Sequence, residues 1–168
     1  MTRQATDAVA VRPAAAGELA AVGRLTVAAY QSSGMIPEGS GYDRQLGDAS
    51  ARAEAAELFV ALVAGALVGT VTFCEYGSRY AEVSRPGEAE FRMLAVDPEV
   101  RGAGVGEALV RAVLARAAER GFESLVLSTP ATAAAARRLY DRLGFVRLPD
   151  RDWEPVPGVR LLGYRQVL

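Results

Sequence analysis

The stretch that most restricts the fold of this chain is "VDPEVRGAGVGEALV", residues 96–110. An apolar run stops at Asp97-Pro98, glycines stand at the alternate positions Gly102, Gly104 and Gly106, and a helical pattern begins at once. Each glycine costs about 1 kcal/mol relative to alanine in a forming helix. A chain that places several there uses them for a left-handed turn or a close backbone approach. Behind the glycines, Val105, Leu109, Val113, Leu114 and Ala117 share one helical face. Glu107 and Arg111 pair at i,i+4 on the opposite face, and Gly121 closes the helix. A strand, a glycine turn and an amphipathic helix thus form one unit, whose helix N-terminus offers unpaired N–H groups to an anion.

Such a turn has three readings. A dinucleotide fingerprint needs G-x-G-x-x-G in a first βαβ crossover; here the third glycine comes one position early and the turn lies mid-chain after a hairpin pattern. Glycines that merely permit a tight turn would not require this spacing. A backbone cradle for a pyrophosphate does, because missing Cβ atoms let a bulky anion approach several N–H groups, and Arg101 adds a fork of donors at the mouth.

Composition prunes the chemistry further. The basic residues are all arginine, balanced by the acids to a net charge of −1, and the chain has no lysine and no histidine. Absent histidine removes Ser-His and Cys-His nucleophiles and imidazole metal sites; absent lysine removes a Walker A loop and a Schiff base. Cys74 alone supports neither an internal disulfide nor a thiol-rich metal site, so no metal is expected and a reducing cytoplasm is. In "TVTFC" it reads as a small buried hydrophobe rather than an acyl-enzyme nucleophile. The near-neutral charge predicts no nucleic-acid or membrane partner. The N-terminal residues lack the apolar core of a signal peptide, and the most apolar run, residues 58–73, is too short to span a bilayer.

The length of 168 residues suits a single domain, residues 1–168, with a loose start over 1–8. Strands are expected at 9–13, on both sides of a turn at Gly65, at 89–98, at 123–129, and at 145–148 and 159–168. Helices are expected at 14–30, about 48–56, after the glycines to Arg120, and at 131–143, with a loop or broken helix at 31–47. The fold class is α/β in the α+β sense: a mixed, mostly antiparallel sheet flanked by helices.

"RGAGVG" (101–106) resembles the R/Q-x-x-G-x-G/A motif of the GNAT superfamily of acyl-CoA-dependent N-acetyltransferases. "FRMLAVDPEV" before it looks like that family's fourth strand, and "AAAARRLYDRLGFVRL" (133–148) is similar to its second signature, a tyrosine-bearing helix ending in Gly-Phe. The resemblance runs from about Val9 to Leu168. It implies a sheet of six or seven strands with about four helices, splayed between the fourth and fifth strands, and acetyl-CoA as cosubstrate. The backbone of Arg101, Gly102, Ala103, Gly104, Val105, Gly106 and Glu107 would hold the pyrophosphate. Leu94, Ala95 and Val96 would pair with the pantetheine arm, and a bulge near Leu94 would aim an N–H at the thioester oxygen.

By the same resemblance Tyr140 is the acid that protonates the departing thiolate. An amine of pKa ~10.4 must lose a proton before it attacks, and Glu90 occupies the position of a general-base glutamate found in some members, acting directly or through water. Two departures stand out: Ser128 fills a fifth-strand position where other members carry a base, and Ala133 replaces an asparagine that touches the cofactor. On the acceptor side the resemblance points to Tyr30, Tyr42, Asp43, Tyr80, Glu82 and the loop "PDRDWEPVPG" (149–158). There Trp153 with Asp150, Asp152 and Glu154 reads either as an aromatic, acidic rim for a cation or as a charged surface loop. That proline-stiffened loop reaches over a pocket or over a second copy of the chain, so a homodimer is allowed. The function implied is acetyl transfer to a primary amine of a small molecule or peptide by direct attack in a ternary complex. The alternative is a non-catalytic acyl-CoA-binding sensor or interaction module of the same fold.

Overall fold

A computed structural model describes residues 7–36 and 40–168. Strand β1 (Ala10–Pro13) leads through a 3₁₀ turn into α1 (Leu19–Ser32), and two short helices follow, α2 (Tyr42–Gly47) and α3 (Ala49–Ala55). Next come β2 (Glu57–Val63), β3 (Ala66–Glu75) and β4 (Glu88–Val96), then α4 (Val105–Glu119), β5 (Ser124–Pro130) and α5 (Ala134–Arg142). The chain ends in β6 (Val146–Arg147), β7 (Trp153–Val156) and β8 (Val159–Val167). All strands join one sheet in the order β1-β2-β3-β4-β5-β8-β6, with β7 also on β8.

Strand alternation builds two layers of core. Phe59, Ala61, Val71, Phe73 and Phe91 pack with Val105, Leu109, Val113 and Ala117 of α4 and with Tyr140 of α5. On the other face Leu58 and Val60 meet Val22 of α1 and Ala49 of α3. Helices on both faces explain why β2 and β3 read as nearly continuous apolar runs. Helix α4 lies close on the sheet because position 69 is glycine: a Cβ there would stand 2.7 Å from a Val105 methyl and 2.9 Å from a Leu109 methyl.

Every strand pair is antiparallel except β4/β5, whose parallel ladder holds only Glu88↔Ser124, Ala89↔Leu125 and Glu90↔Val126. Beyond Glu90 the two strands part, which is the expected splay. On its other side β4 carries a bulge: Thr70 faces Ala95 and Thr72 faces Arg92, so Met93 and Leu94 together oppose Val71. Met93 takes a left-handed φ of 54° there, a conformation disfavoured for a residue with a Cβ and held by its surroundings.

The sheet has eight strands where six or seven are implied by the resemblance, and the addition is β7. The proline-containing run expected as a loop pairs with β8 through Trp153↔Leu161 and Val156↔Val159. Pro155 is tolerated because β7 lies off the main path of the sheet, with β8 as its partner. The expected broken helix at 31–47 contains α2, giving five helices among the described residues. Residues 1–6 of the expected loose start lie outside the described residues.

Candidate active site

The glycine turn opens beside the splay. Gly102 and Gly104 have φ of 85° and 82°, and a Cβ built on either would meet nothing within 4 Å. Gly104 is the N-cap of α4, and the first helical bond runs from the Ala108 N–H to the Gly104 carbonyl at 3.0 Å. The N–H groups of Gly104, Val105, Gly106 and Glu107 therefore have no backbone acceptor among the described residues. Together with the positive end of the helix dipole they make an open anion cradle. Arg101 lies at its edge, but its guanidinium is turned to the end of α1, donating to the Ala29 carbonyl at 3.1 Å and to Ser32 Oγ at 3.0 Å. It ties the turn to α1 and offsets the negative end of that helix.

The β4 edge facing β5 is without a ladder from Phe91 to Val96, the span that includes Leu94, Ala95 and Val96. Backbone groups there are free to pair with an extended ligand as an added strand would. Cradle and free edge together fit the pyrophosphate and the amide-bearing arm of coenzyme A.

Tyr140 sits at the inner end of α5, only 4% exposed, with its ring edge-to-face on Phe91 and Phe145 and tilted on Tyr164. Burial, followed by the neighbouring Tyr164, pushes its phenol well above the ordinary range, so it stays protonated. Its hydroxyl makes no hydrogen bond among the described residues, yet it is not one of the sealed polar atoms of the interior. Tyr140 is not among the residues that line the cavity beyond the splay, but a protonated, unengaged phenol has the chemistry a proton donor requires. Ala133, where the family places an asparagine, is the N-cap of α5 and supplies no side-chain cap.

A cavity of about 440 Å³ continues from the splay. Arg92 and Met93 of β4, Ser128 and Pro130 of β5, Tyr30 of α1 and Tyr42 of α2 line it, and the β7–β8 hairpin covers it with Trp153, Pro155 and Leu161. Trp153 Nε1–H donates to Ser128 Oγ at 3.3 Å, and Tyr30 stacks edge-to-face on Tyr42 at 6.4 Å. Tyr30, Tyr42 and Trp153 thus line one cavity.

Three expected features are placed differently. Tyr80 is buried and outside the cavity lining; its carbonyl accepts from Arg92 at 3.0 Å. Glu90 is fully buried, and its Oε2 accepts the backbone N–H groups of Glu82, Val83 and Ser84 at 2.9, 3.0 and 3.0 Å. Its carboxylate fastens the loop between β3 and β4 and does not line the cavity. The acidic rim around Trp153 is also spent on structure. Asp152 takes both Arg147 donors at 2.8 Å and the Gly163 N–H at 2.7 Å, which lowers its carboxyl to about 2. Glu154 accepts from the Gly158 N–H at 2.7 Å, and Asp150 pairs on the surface with Arg85.

Arg92 is a cavity residue that sequence reasoning missed. It pairs with Glu82 at 2.7 Å and donates to Tyr42 Oη at 3.3 Å. Its signal was present in "EAEFRML": Glu88, Glu90 and Arg92 are charges at alternate positions of an otherwise apolar strand, so they point to one face.

A bulged and splayed mixed sheet with a glycine cradle at the start of α4 defines an acyl-CoA-binding acetyltransferase class of fold. The model of the acetyltransferase (GNAT) family matches residues 24–145, and the chain belongs to that family. It is 34% identical over 103 residues to N-acetylaspartate synthetase from Danio rerio, covering 60% of this chain and 33% of that protein. Over 58 residues it is 45% identical to mycothiol acetyltransferase from Thermobispora bispora, covering 34% of this chain and 20% of that protein. The chain thus spans a third or less of the length of these relatives. A GNAT family acetyltransferase from Elizabethkingia anophelis with acetyl-CoA bound shares the fold at a TM-score of 0.67 and 17% identity, over 95% of this chain and 98% of that one.

Proposed function

We propose that this chain transfers an acetyl group from acetyl-CoA to a primary amine of a small molecule or peptide, by direct attack within a ternary complex. The observation that carries this reading is the junction of two unpaired backbone surfaces. The free N–H groups of residues 104–107 adjoin the unladdered edge of β4, and the cavity lies beyond them. Residues 101–107 hold the pyrophosphate, and Leu94, Ala95 and Val96 pair with the pantetheine arm. Acetyl-CoA supplies the activated acyl group. The bulge at Met93 frees backbone N–H groups to face the thioester oxygen, where negative charge grows in the transition state. Tyr140 gives its proton to sulfur as the C–S bond breaks. Water is excluded by the aromatic walls and the β7–β8 cover. The lone buried thiol of Cys74 supports a cytoplasmic setting, and no helix among the described residues is long and apolar enough to cross a membrane.

An assay of free thiol released from acetyl-CoA, run with a panel of amines, tests the reading. Amine-dependent thiol release is expected. Tight acetyl-CoA binding with no release on any amine would replace it with the sensor reading, and stabilisation by NADH but not by acetyl-CoA would restore the dinucleotide reading.

A further inference from the structure

Glu82 differs from every other acid around the cavity. Its carboxylate lines the cavity, one oxygen is held by Arg92 at 2.7 Å, and neither oxygen is a sealed orphan. The side chain is 28% exposed, so the second oxygen is open to an incoming group. The loop behind it is fixed from several sides. Glu90 takes the N–H groups of residues 82–84, Arg151 donates to the Val83 carbonyl at 2.7 Å, and Arg92 donates to the Tyr80 carbonyl. Arg151 is itself locked by a buried ion pair with Glu88 at 2.8 Å. A side chain carried on a loop is as precise as the contacts that hold the loop, and this loop is held on both flanks of Glu82.

Arg92 is the opposite case. Its guanidinium is only 13% exposed and already serves Glu82, the Tyr80 carbonyl and the Tyr42 hydroxyl. An acceptor carrying a carboxylate or phosphate would meet the open oxygen of Glu82 and be repelled. An ammonium would be attracted, with the π-faces of Tyr30 and Tyr42 adding to the attraction. Elsewhere the walls carry no further charge: Met35, Met93, Trp153 and Leu161 are apolar, and Ser40, Gln45 and Ser128 are neutral.

We propose that the acceptor is a primary ammonium carried on an uncharged apolar body, and that Glu82 receives this ammonium and takes its proton, with Arg92 as the positioning residue. The inference rests on the acetyltransferase reading. Glu82 accepts one N–H proton, and the freed lone pair forms the C–N bond to the thioester carbonyl carbon. The C–S bond breaks, its electron pair goes to sulfur, and Tyr140 supplies the proton that makes the thiol. The second N–H proton restores Tyr140, and Glu82 passes the first to water. Ammonium and thioester thus become amide, thiol and one proton. The groups facing Glu82 are Arg92 and Glu90 on β4, Cys74 on β3 and Tyr42 on α2. Burial, opposed by Arg92 and reinforced by Glu90, raises the carboxyl above its ordinary range.

The test is steady-state thiol release by the full chain at pH 7 with 2-phenylethylamine, aspartate and phenylhydrazine, on wild type and Glu82→Gln. Calorimetric titration with acetyl-CoA accompanies it and should give the same affinity for both proteins, showing that the variant is folded. Wild type should prefer 2-phenylethylamine to aspartate by about 100-fold or more in kcat/KM. Glu82→Gln should lose about 100-fold with 2-phenylethylamine and far less with phenylhydrazine, whose nitrogen is already neutral and needs no base. Aspartate equal to or better than 2-phenylethylamine overturns the acceptor class. An equal loss on both nitrogen nucleophiles, or no loss on either, overturns the role of Glu82. Acetyl-CoA binding with no turnover of any amine overturns the acetyltransferase reading itself and this proposal with it.

Discussion

Replacing Glu90 by alanine removes the acceptor of three backbone N–H groups at once, those of Glu82, Val83 and Ser84. Hydrogen bonds to a charged group contribute about 1.5–3 kcal/mol each, so the three together are worth about 5–9 kcal/mol if all are left dry. They are not all left dry, because residues 82–84 range from exposed to half-buried and water reclaims roughly half of the loss. A second offset comes from the acid itself. Its carboxylate is sealed with Oε1 unpartnered, and its removal relieves about 1 kcal/mol, the low end for one unsatisfied buried acceptor. The net expectation is a loss of about 1.5–3.5 kcal/mol, or about 4–10 °C in melting temperature for a domain of this size. Circular dichroism melts measure it, and hydrogen exchange should show protection lost at residues 82–84 while the amides of α4 stay protected. Glu90→Gln keeps an accepting oxygen and should lose less than half as much. A melting temperature within about 2 °C of wild type, with the loop amides still protected, would refute the latch and return Glu90 to the role of base.

Three further outcomes follow from the site. Tyr140→Phe should lower kcat by about 100-fold and leave the calorimetric affinity for acetyl-CoA unchanged; an unchanged kcat would remove the phenol as acid. Gly104→Val forces a branched residue to a φ of 82° and fills the open face of the cradle, so acetyl-CoA binding should be lost while the fold persists by circular dichroism; wild-type affinity would contradict the cradle. Asp152 has its folded carboxyl lowered to about 2, chiefly by Arg147. The stability it contributes is therefore present above its ordinary range and lost as pH falls from about 4 to about 2, amounting to about 1 kcal/mol after solvent screening. Urea melts of wild type and Asp152→Asn should converge across that window; a constant gap would refute the linkage.

The parts of the fold legible in the sequence are those set by local chemistry. Asp97-Pro98, the spaced glycines and the apolar stripe of α4 each act within a few residues, and strand, cradle and helix all appear where these place them. The hairpin at Gly65 and the closing Gly121 behave alike, both with left-handed φ. The parts that escaped depend on contacts far apart in sequence. Nothing near Glu90 says that the preceding loop folds back to lay three N–H groups on it. Nothing near Trp153 says that Asp152 is drawn inward by Arg147 and Gly163. The prolines that make 149–158 look like a loop describe the strand β7 equally well once β8 offers it a partner. Glu82, named from the sequence, and Arg92, which was missed, lie on different elements, and only the folded loop makes them a pair.

The absence of histidine and lysine also acquires a physical meaning. A site built on those residues would depend on titratable side chains to hold the donor substrate. On the proposed reading the holding surfaces are main chain: the start of α4, freed by glycines, and the edge of β4, freed because its ladder with β5 ends at Glu90↔Val126 while β5 continues along β8 to Pro130↔Leu161. One strand bends at Met93 and its neighbour does not, so the gap and its unpaired N–H and C=O groups arise from the same bulge. Unpaired backbone groups in a cleft must find water or a ligand with matching amides, and an amide-bearing arm satisfies them in sequence order as a strand would. What remains for side chains on that reading is the proton traffic, and that needs only a phenol kept protonated by burial and a carboxylate held by an arginine. Tyr140 and Glu82 are the two groups proposed for it.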